Sequence, residues 1–246
     1  MNHTIPSLYQ PATGWFGDVM PSFANGEFHL FYTYLDRSDT GDPETFKGLD
    51  WAHLSTTDFL TFREHATAIG RGSKDAADLL VGAGSVLDTG DGFVAYDCGI
   101  NPRRLSVGEP EQVVLRAISD DLHTWRKDET FEFRSDPQWY ERDAWRDPFV
   151  YRDGDGWRML LCARSNTGPV DRRGVVGLAR SDDLDTWTAT APFLQMGTTY
   201  APECIETFTQ DGREYLVYSS YSDRFQTRYR MKSETGHFER ATQDAL

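Results

Sequence analysis

The chain is 246 residues long, enough for a sizeable buried core, and carries 13% aromatic residues and a formal net charge of −14. That charge repels nucleic-acid phosphates and anionic membrane surfaces, so no nucleic acid and no membrane is expected as a partner, whereas a neutral small carbohydrate is not repelled. Three widely separated cysteines, Cys98, Cys162 and Cys204, suit neither a disulfide framework nor a zinc knuckle.

The first residues, Met1 to Gln10, lack the basic start and apolar core of a secretory signal, and no apolar run is long enough to cross a bilayer. A soluble cytoplasmic protein is the expectation. From there the chain repeats itself. Asn25-Gly26 opens a hairpin into Glu27-Phe28-His29-Leu30-Phe31, and Thr56-Thr57-Asp58-Phe59-Leu60-Thr61-Phe62 follows. Asp91-Gly92 opens the second hairpin, followed by Ser119-Asp120-Asp121-Leu122-His123-Thr124-Trp125. Asp155-Gly156 opens the third, followed by Ser181-Asp182-Asp183-Leu184-Asp185-Thr186-Trp187. Asp211-Gly212 opens the fourth, followed by the weaker Ser233-Glu234-Thr235-Gly236-His237-Phe238. The closing aromatics Phe62, Trp125, Trp187 and Phe238 stand 63, 62 and 51 residues apart.

Asn-Gly and Asp-Gly between strand-like runs are hairpin signals, because such turns need positive φ. Each unit therefore reads as four antiparallel strands, which is the size of a propeller blade. The expectation is an all-β propeller of the five-bladed glycosidase type with about four blades present, roughly 14–70, 80–135, 143–195 and 200–246, in one domain without a C-terminal β-sandwich. The tail Ala241-Thr242-Gln243-Asp244-Ala245-Leu246 carries no strand signal, which reads as a ring cut before its last blade.

The first strand of each blade lines a propeller's axis. Counting back seven to nine residues from each hairpin glycine gives Asp18, Ser85, Asp147 and Glu203. Three carboxylates at one blade position are costly to bury for packing alone. They suit glycoside cleavage, in which one carboxylate attacks or activates water and another protonates the leaving oxygen.

These residues resemble glycoside hydrolase family 32, the invertase, levanase and inulinase family. Trp145-Arg146-Asp147-Pro148 resembles its Arg-Asp-Pro motif, Glu203-Cys204 its Glu-Cys motif, and Gly14-Trp15-Phe16-Gly17-Asp18 its nucleophile segment. Trp51-Ala52-His53 resembles its Trp-Gly-His stretch. The resemblance implies retaining hydrolysis of β-fructofuranosides of the sucrose or fructan type without a cofactor. It implies Asp18 as nucleophile, Glu203 as general acid/base and Asp147 as transition-state stabiliser. It also implies Arg146, Trp15 and Trp51 around the fructose subsite, with Ser85 as a further substrate-binding residue. Departures from the family pattern are Gly17 before Asp18, Val19-Met20-Pro21 after it, Gly82-Ala83-Gly84-Ser85 in place of Phe-Ser-Gly-Ser, and Ile205 after Glu-Cys. Two other readings stay open: an inverting arabinosidase or xylosidase like those of family 43, and a non-catalytic carbohydrate-binding propeller. The six histidines are scattered along the sequence without metal-ligand spacing, so no metal is expected, and His53 and His65 read as loop or core residues.

Overall fold

The computed structural model describes residues 9–38, 48–221, 226–233 and 235–245. Its strands form four four-stranded sheets, each a meander. Blade I holds β1 (Gly14–Ala24), β2 (Glu27–Asp36), β3 (Asp50–Thr56) and β4 (Arg63–Glu64). Blade II holds β5 (Leu80–Asp88), β6 (Phe93–Ile100), β7 (Gln112–Ser119) and β8 (Arg126–Lys127). Blade III holds β9 (Tyr140–Asp153), β10 (Gly156–Ser165), β11 (Gly174–Ser181) and β12 (Thr188–Gln195). Blade IV holds β13 (Ala201–Gln210), β14 (Arg213–Tyr221), β15 (Gln226–Lys232) and β16 (Phe238–Ala245). The molecule is an all-β, four-bladed propeller arrangement whose innermost strands β1, β5, β9 and β13 adjoin in sequence order. The tail corrects its sequence reading: β16 runs to Ala245 and pairs with β15, so backbone pairing prevails over the weak strand propensity of Ala241–Asp244. Met1 to Leu8, most of the segment read for a secretory signal, lies outside the described residues.

The repeated turn is explained by its hydrogen bonds. Asp58 Oδ1 accepts from the backbone N–H of Leu60 and of Thr61, each at 2.8 Å. Asp121 does the same for His123 and Thr124, and Asp183 for Asp185 and Thr186. The preceding hydroxyl of Thr56, Ser119 or Ser181 accepts at 2.9 Å from the apolar residue three positions on. That apolar residue sits at positive φ: Phe59 at 55°, Leu122 at 64° and Leu184 at 66°. In blade IV the same place is Gly236, at φ 85°, which takes this conformation without the steric cost to a side chain. The closing indoles return to the turn, Trp125 Nε1 donating to Leu122 O at 3.1 Å and Trp187 Nε1 to Leu184 O at 3.3 Å.

Three cores lie between successive blades. Phe31, Trp51, Val81 and Leu122 anchor the first, between blades I and II. Tyr96, Tyr140, Trp145 and Trp187 anchor the second, between II and III. Leu160, Val176, Ile205 and Leu216 anchor the third, between III and IV. Each fully buried large apolar side chain contributes roughly 1.5–3 kcal/mol, so these seams hold the ring together and fix the relative positions of the inner strands.

Candidate active site

Every innermost strand is bulged where it reaches the axis. β1 shifts register against β2 between Phe16 and Val19, and β5 against β6 between Gly82 and Gly84. β9 shifts against β10 at Asp147-Pro148, and β13 against β14 between Glu203 and Glu206. A bulge re-aims the side chains around it. Asp147 and Cys204 occupy corresponding places in their bulges, at φ 51° and 50°. Asp18 lies in the bulge of β1, whereas Glu203 just precedes its own. The equal spacing from the hairpins is therefore an approximate equivalence, off by one or two residues between blades.

A small axial cavity of about 90 Å³ is lined by Asp18, Ala83, Gly84, Asp147, Cys204 and Glu206, among others. The Asp18 backbone N–H donates to Thr33 Oγ1 at 2.9 Å. Gly17 is what lets that hydroxyl approach, since a Cβ there would lie 2.1 Å from Thr33 Oγ1. The departure from the family pattern at Gly17 thus has a local partner in Thr33. Asp18 keeps solvent access, yet protein crowds it from neighbouring blades. That loss of surrounding water is the main reason its pKa is raised, the charge of Asp147 adds to it, and a hydrogen bond with the Cys204 thiol acts the other way.

Asp147 is 9% exposed and is held from blade IV, the Cys204 backbone N–H donating to its Oδ2 at 3.0 Å. Arg146 Nε stands 4.0 Å from the same oxygen. Arg146 Nη2 also donates to Glu203 Oε1 at 3.3 Å and to Pro202 O at 3.4 Å. One guanidinium therefore serves two carboxylates from two blades. Burial raises the Glu203 pKa, Arg146 lowers it in part, and Asp147 and Asp18 push it up again.

The sequence-predicted residues divide in two. Asp18, Asp147, Glu203 and Arg146 meet at the axis, and Trp15 stands on the same strand as Asp18, 56% exposed with the Arg37 guanidinium 5.1 Å over its ring. Trp51 and Ser85 do not join them, and their reading as substrate contacts is corrected. Trp51 is fully buried in the core between blades I and II, its Nε1 donating to Gly82 O at 2.7 Å. Ser85 is 8% exposed, and its Oγ donates to Pro148 O at 2.8 Å and accepts from the Val150 N–H at 3.0 Å. Both groups tie blades together.

Sequence reasoning missed Glu206, a second carboxylate of β13 in the cavity, with its pKa raised by burial. The bulge resets side-chain alternation, so only a register argument could have found it. It also missed that the three free cysteines gather around Asp147. Cys162 and Cys98 are fully buried beside it, and all three thiols have raised pKa values, chiefly from burial and next from the Asp147 charge. Cys204 thus does more than pack. A larger cleft of about 590 Å³, bounded by Tyr151, Phe193, Phe208 and Phe238 between blades III and IV, holds none of the predicted carboxylates, so size alone does not locate the chemistry.

The histidines, scattered along the sequence, gather in the fold, with His53 a core residue and His65 just beyond β4. Four of the six, His29, His53, His65 and His123, are brought together between blades I and II, because β2, β3 and the turn after β7 converge there.

Carboxyl groups brought together from several inner strands of a propeller are an arrangement that suits glycoside cleavage. The chain belongs to glycosyl hydrolases family 32: the sequence model of that family's N-terminal domain matches residues 9–245. It is 26% identical over 218 residues to a sucrose-6-phosphate hydrolase of Zymomonas mobilis, covering 85% of this chain and 41% of that protein. It is 26% identical over 212 residues to the beta-fructofuranosidase insoluble isoenzyme 1 of Daucus carota, covering 84% and 34%. The fold matches a Bombyx mori GH32 beta-fructofuranosidase with a TM-score of 0.73 at 22% identity, covering 95% of this chain and 50% of that one. It matches fructan 1-exohydrolase IIa from Cichorium intybus with a TM-score of 0.74 at 18% identity, covering 97% and 46%. The chain spans half or less of the length of these relatives.

Proposed function

We propose that this chain is a catalytic propeller that hydrolyses β-fructofuranosidic bonds, of the sucrose or fructan type, by a retaining double displacement. The observation that carries this reading is the meeting of Asp18, Asp147 and Glu203 at the axis, with Arg146 between the last two. Family membership and the hydrolase names of the relatives support the substrate class. Asp18 attacks the anomeric carbon and forms a fructosyl ester. Glu203 gives its proton to the departing glycosidic oxygen, then takes a proton from the water that cleaves the ester. A Glu203 pKa raised by burial keeps that proton available nearer neutral pH. The Cys204 thiol favours the ionised form of Asp18, the form that attacks. Asp147, anchored by the Cys204 N–H, presents its remaining acceptor capacity to sugar hydroxyls and to the positive charge at the anomeric carbon.

The test is release of fructose and glucose from sucrose, inulin and levan, with Asp18→Ala as control and the configuration of the first-formed fructose read by NMR. Release with retained configuration by the wild type alone is expected. Inversion would replace the mechanism with that of the family 43 type. A folded sample that binds these sugars and releases none would favour the non-catalytic reading.

A further inference from the structure

The histidine cluster lies away from the carboxylates. His29 pairs with Ser22, four residues beyond Asp18 along β1, or roughly 13 Å at strand rise. His53 comes from β3 and His65 follows β4, both in blade I, while His123 sits in the Asp-rich turn of blade II. The copies of that turn place Leu60, Asp185 and His237 where blade II has His123, so what sets His123 apart is the blade I histidines it meets. One ligand nitrogen from each of His53, His65 and His123 lies within 4.8 Å of the others. Their ring centroids are 4.3, 4.6 and 5.2 Å apart.

The outer hydrogen bonds fix which nitrogens are free. His53 Nε2 is engaged with His29 Nδ1 at 3.0 Å, and His53 Nδ1 is buried with no hydrogen-bond partner, in a residue only 1% exposed. His65 Nε2 is engaged with Ser55 Oγ at 2.7 Å, and Ser55 in turn bonds Glu27. That leaves His65 Nδ1 as the nitrogen available to a ligand, in a ring stacked on His53 at 27°. A metal-binding histidine is ordinarily held in this way, its second nitrogen committed to an outer partner that sets the tautomer. The charged groups nearest the cluster are Glu27 and Arg63, one of each sign, so no net positive charge opposes a cation.

We infer that His53, His65 and His123 form a binding site for one divalent cation of the imidazole-preferring class, with Zn²⁺ as its simplest occupant. Three neutral nitrogens with no thiolate and no carboxylate in the set disfavour Mg²⁺ and Ca²⁺, which take oxygen ligands. Tetrahedral coordination at ~2.0–2.1 Å requires nitrogens about 3.4 Å apart, so the set must close by up to about 1.4 Å. Rotation of exposed His123 supplies most of that movement, half-buried His65 tilts out of its stack on His53 about its bond to Ser55, and solvent at His123 fills the fourth position. Because His123 belongs to blade II and the others to blade I, the cation staples two blades at a distance from the acidic axis.

The experiment uses the full chain, free of any tag and stripped with EDTA, titrated with ZnCl₂ by calorimetry and followed by thermal melting. One ion per chain is expected, with Tm rising by about 5 °C or more at a hundredfold excess over Kd. His123→Ala, at an exposed turn position, should leave the metal-free Tm unchanged, weaken binding at least tenfold and remove the Tm rise. His237→Ala, outside the cluster, should bind like wild type. X-ray absorption of the zinc complex should show three imidazole nitrogens. Absence of one-to-one binding, or undiminished binding by His123→Ala, overturns the proposal.

Discussion

The propeller axis and the histidine cluster between blades I and II both bury titratable side chains drawn from more than one blade, and they treat charge in opposite ways. At the axis Arg146 stands between Asp147 and Glu203, so a counter-ion offsets part of the cost of burying carboxylates. In the cluster no carboxylate touches the rings. Burial and mutual repulsion push His29 and His65 down and His53 to about 3, so these rings are held towards the neutral form. The difference teaches that this fold retains a buried charge only where a counter-ion or several backbone donors are supplied. Asp97 in blade II is an intermediate case. It is 3% exposed, its Oδ1 has no partner, and the nearby Lys127 is engaged by Asp78. Burial, with the Asp78 charge adding to it, raises its pKa to about 7.

The largest expected effect tests the axis directly. Asp18→Ala should lower kcat on a cleaved fructoside by roughly four to six orders of magnitude, as loss of a nucleophile does, with sugar affinity retained. Loss of only a few fold would remove Asp18 from the chemistry. Next in size is the pH dependence carried by Asp97. An unfolded aspartate titrates near 3.9. Between about pH 4 and pH 7 the folded chain therefore holds a proton that the unfolded chain has released, so stability falls as pH rises through that window and levels off above it. The contribution is on the order of 4 kcal/mol. Urea unfolding across this range should show a fall for wild type and a flatter profile for Asp97→Asn. Identical profiles would mean that Asp97 is already ionised.

Removing the counter-ion tests what separates the two regions. Arg146→Met should reduce kcat/KM by about a hundred- to a thousandfold, the usual scale for a preorganised electrostatic partner. Because Arg146 lowers the Glu203 pKa, its loss should raise that pKa further and move the basic limb of the kcat/KM profile to higher pH. A basic limb that stays in place would show that Glu203 is not the proton donor.

Much of the axis was legible because its signals are local or periodic. The Ser/Thr-x-Asp turn makes all its bonds within a few residues, so its spacing gave the blades directly. The same spacing led to Asp18, Asp147 and Glu203. It misplaced Ser85, which satisfies the count but follows its bulge and faces blade III. A bulge adds one residue without a sequence signature, and Glu206 was missed for the same reason. Trp51 was visible as a motif residue, but its burial depends on Gly82 in the next blade. The histidine cluster had no local signal at all. His29 and His123 are in different blades, and only the closing of the seam brings their rings to 5.5 Å.

Ser85 offers the smallest effect and the sharpest boundary between packing and chemistry. Its hydroxyl satisfies Pro148 O and the Val150 N–H from blade III at once, immediately beside Asp147. Ser85→Ala leaves both backbone groups buried without that partner, at a cost of about 2–3 kcal/mol. For a chain of this length that corresponds to a Tm lower by about 5–10 °C. Since the hydroxyl points between blades and not into the cavity, KM should stay within a few fold of wild type, and any loss in kcat should be similarly small. A selective rise in KM of a hundredfold with unchanged Tm would reverse this assignment and return Ser85 to the sugar site. The expected pattern, a lower Tm with near-normal turnover, would show that the bulge at Asp147 is held by more than one of its neighbours, with the Cys204 N–H and Arg146 sufficient to keep the carboxylate in place.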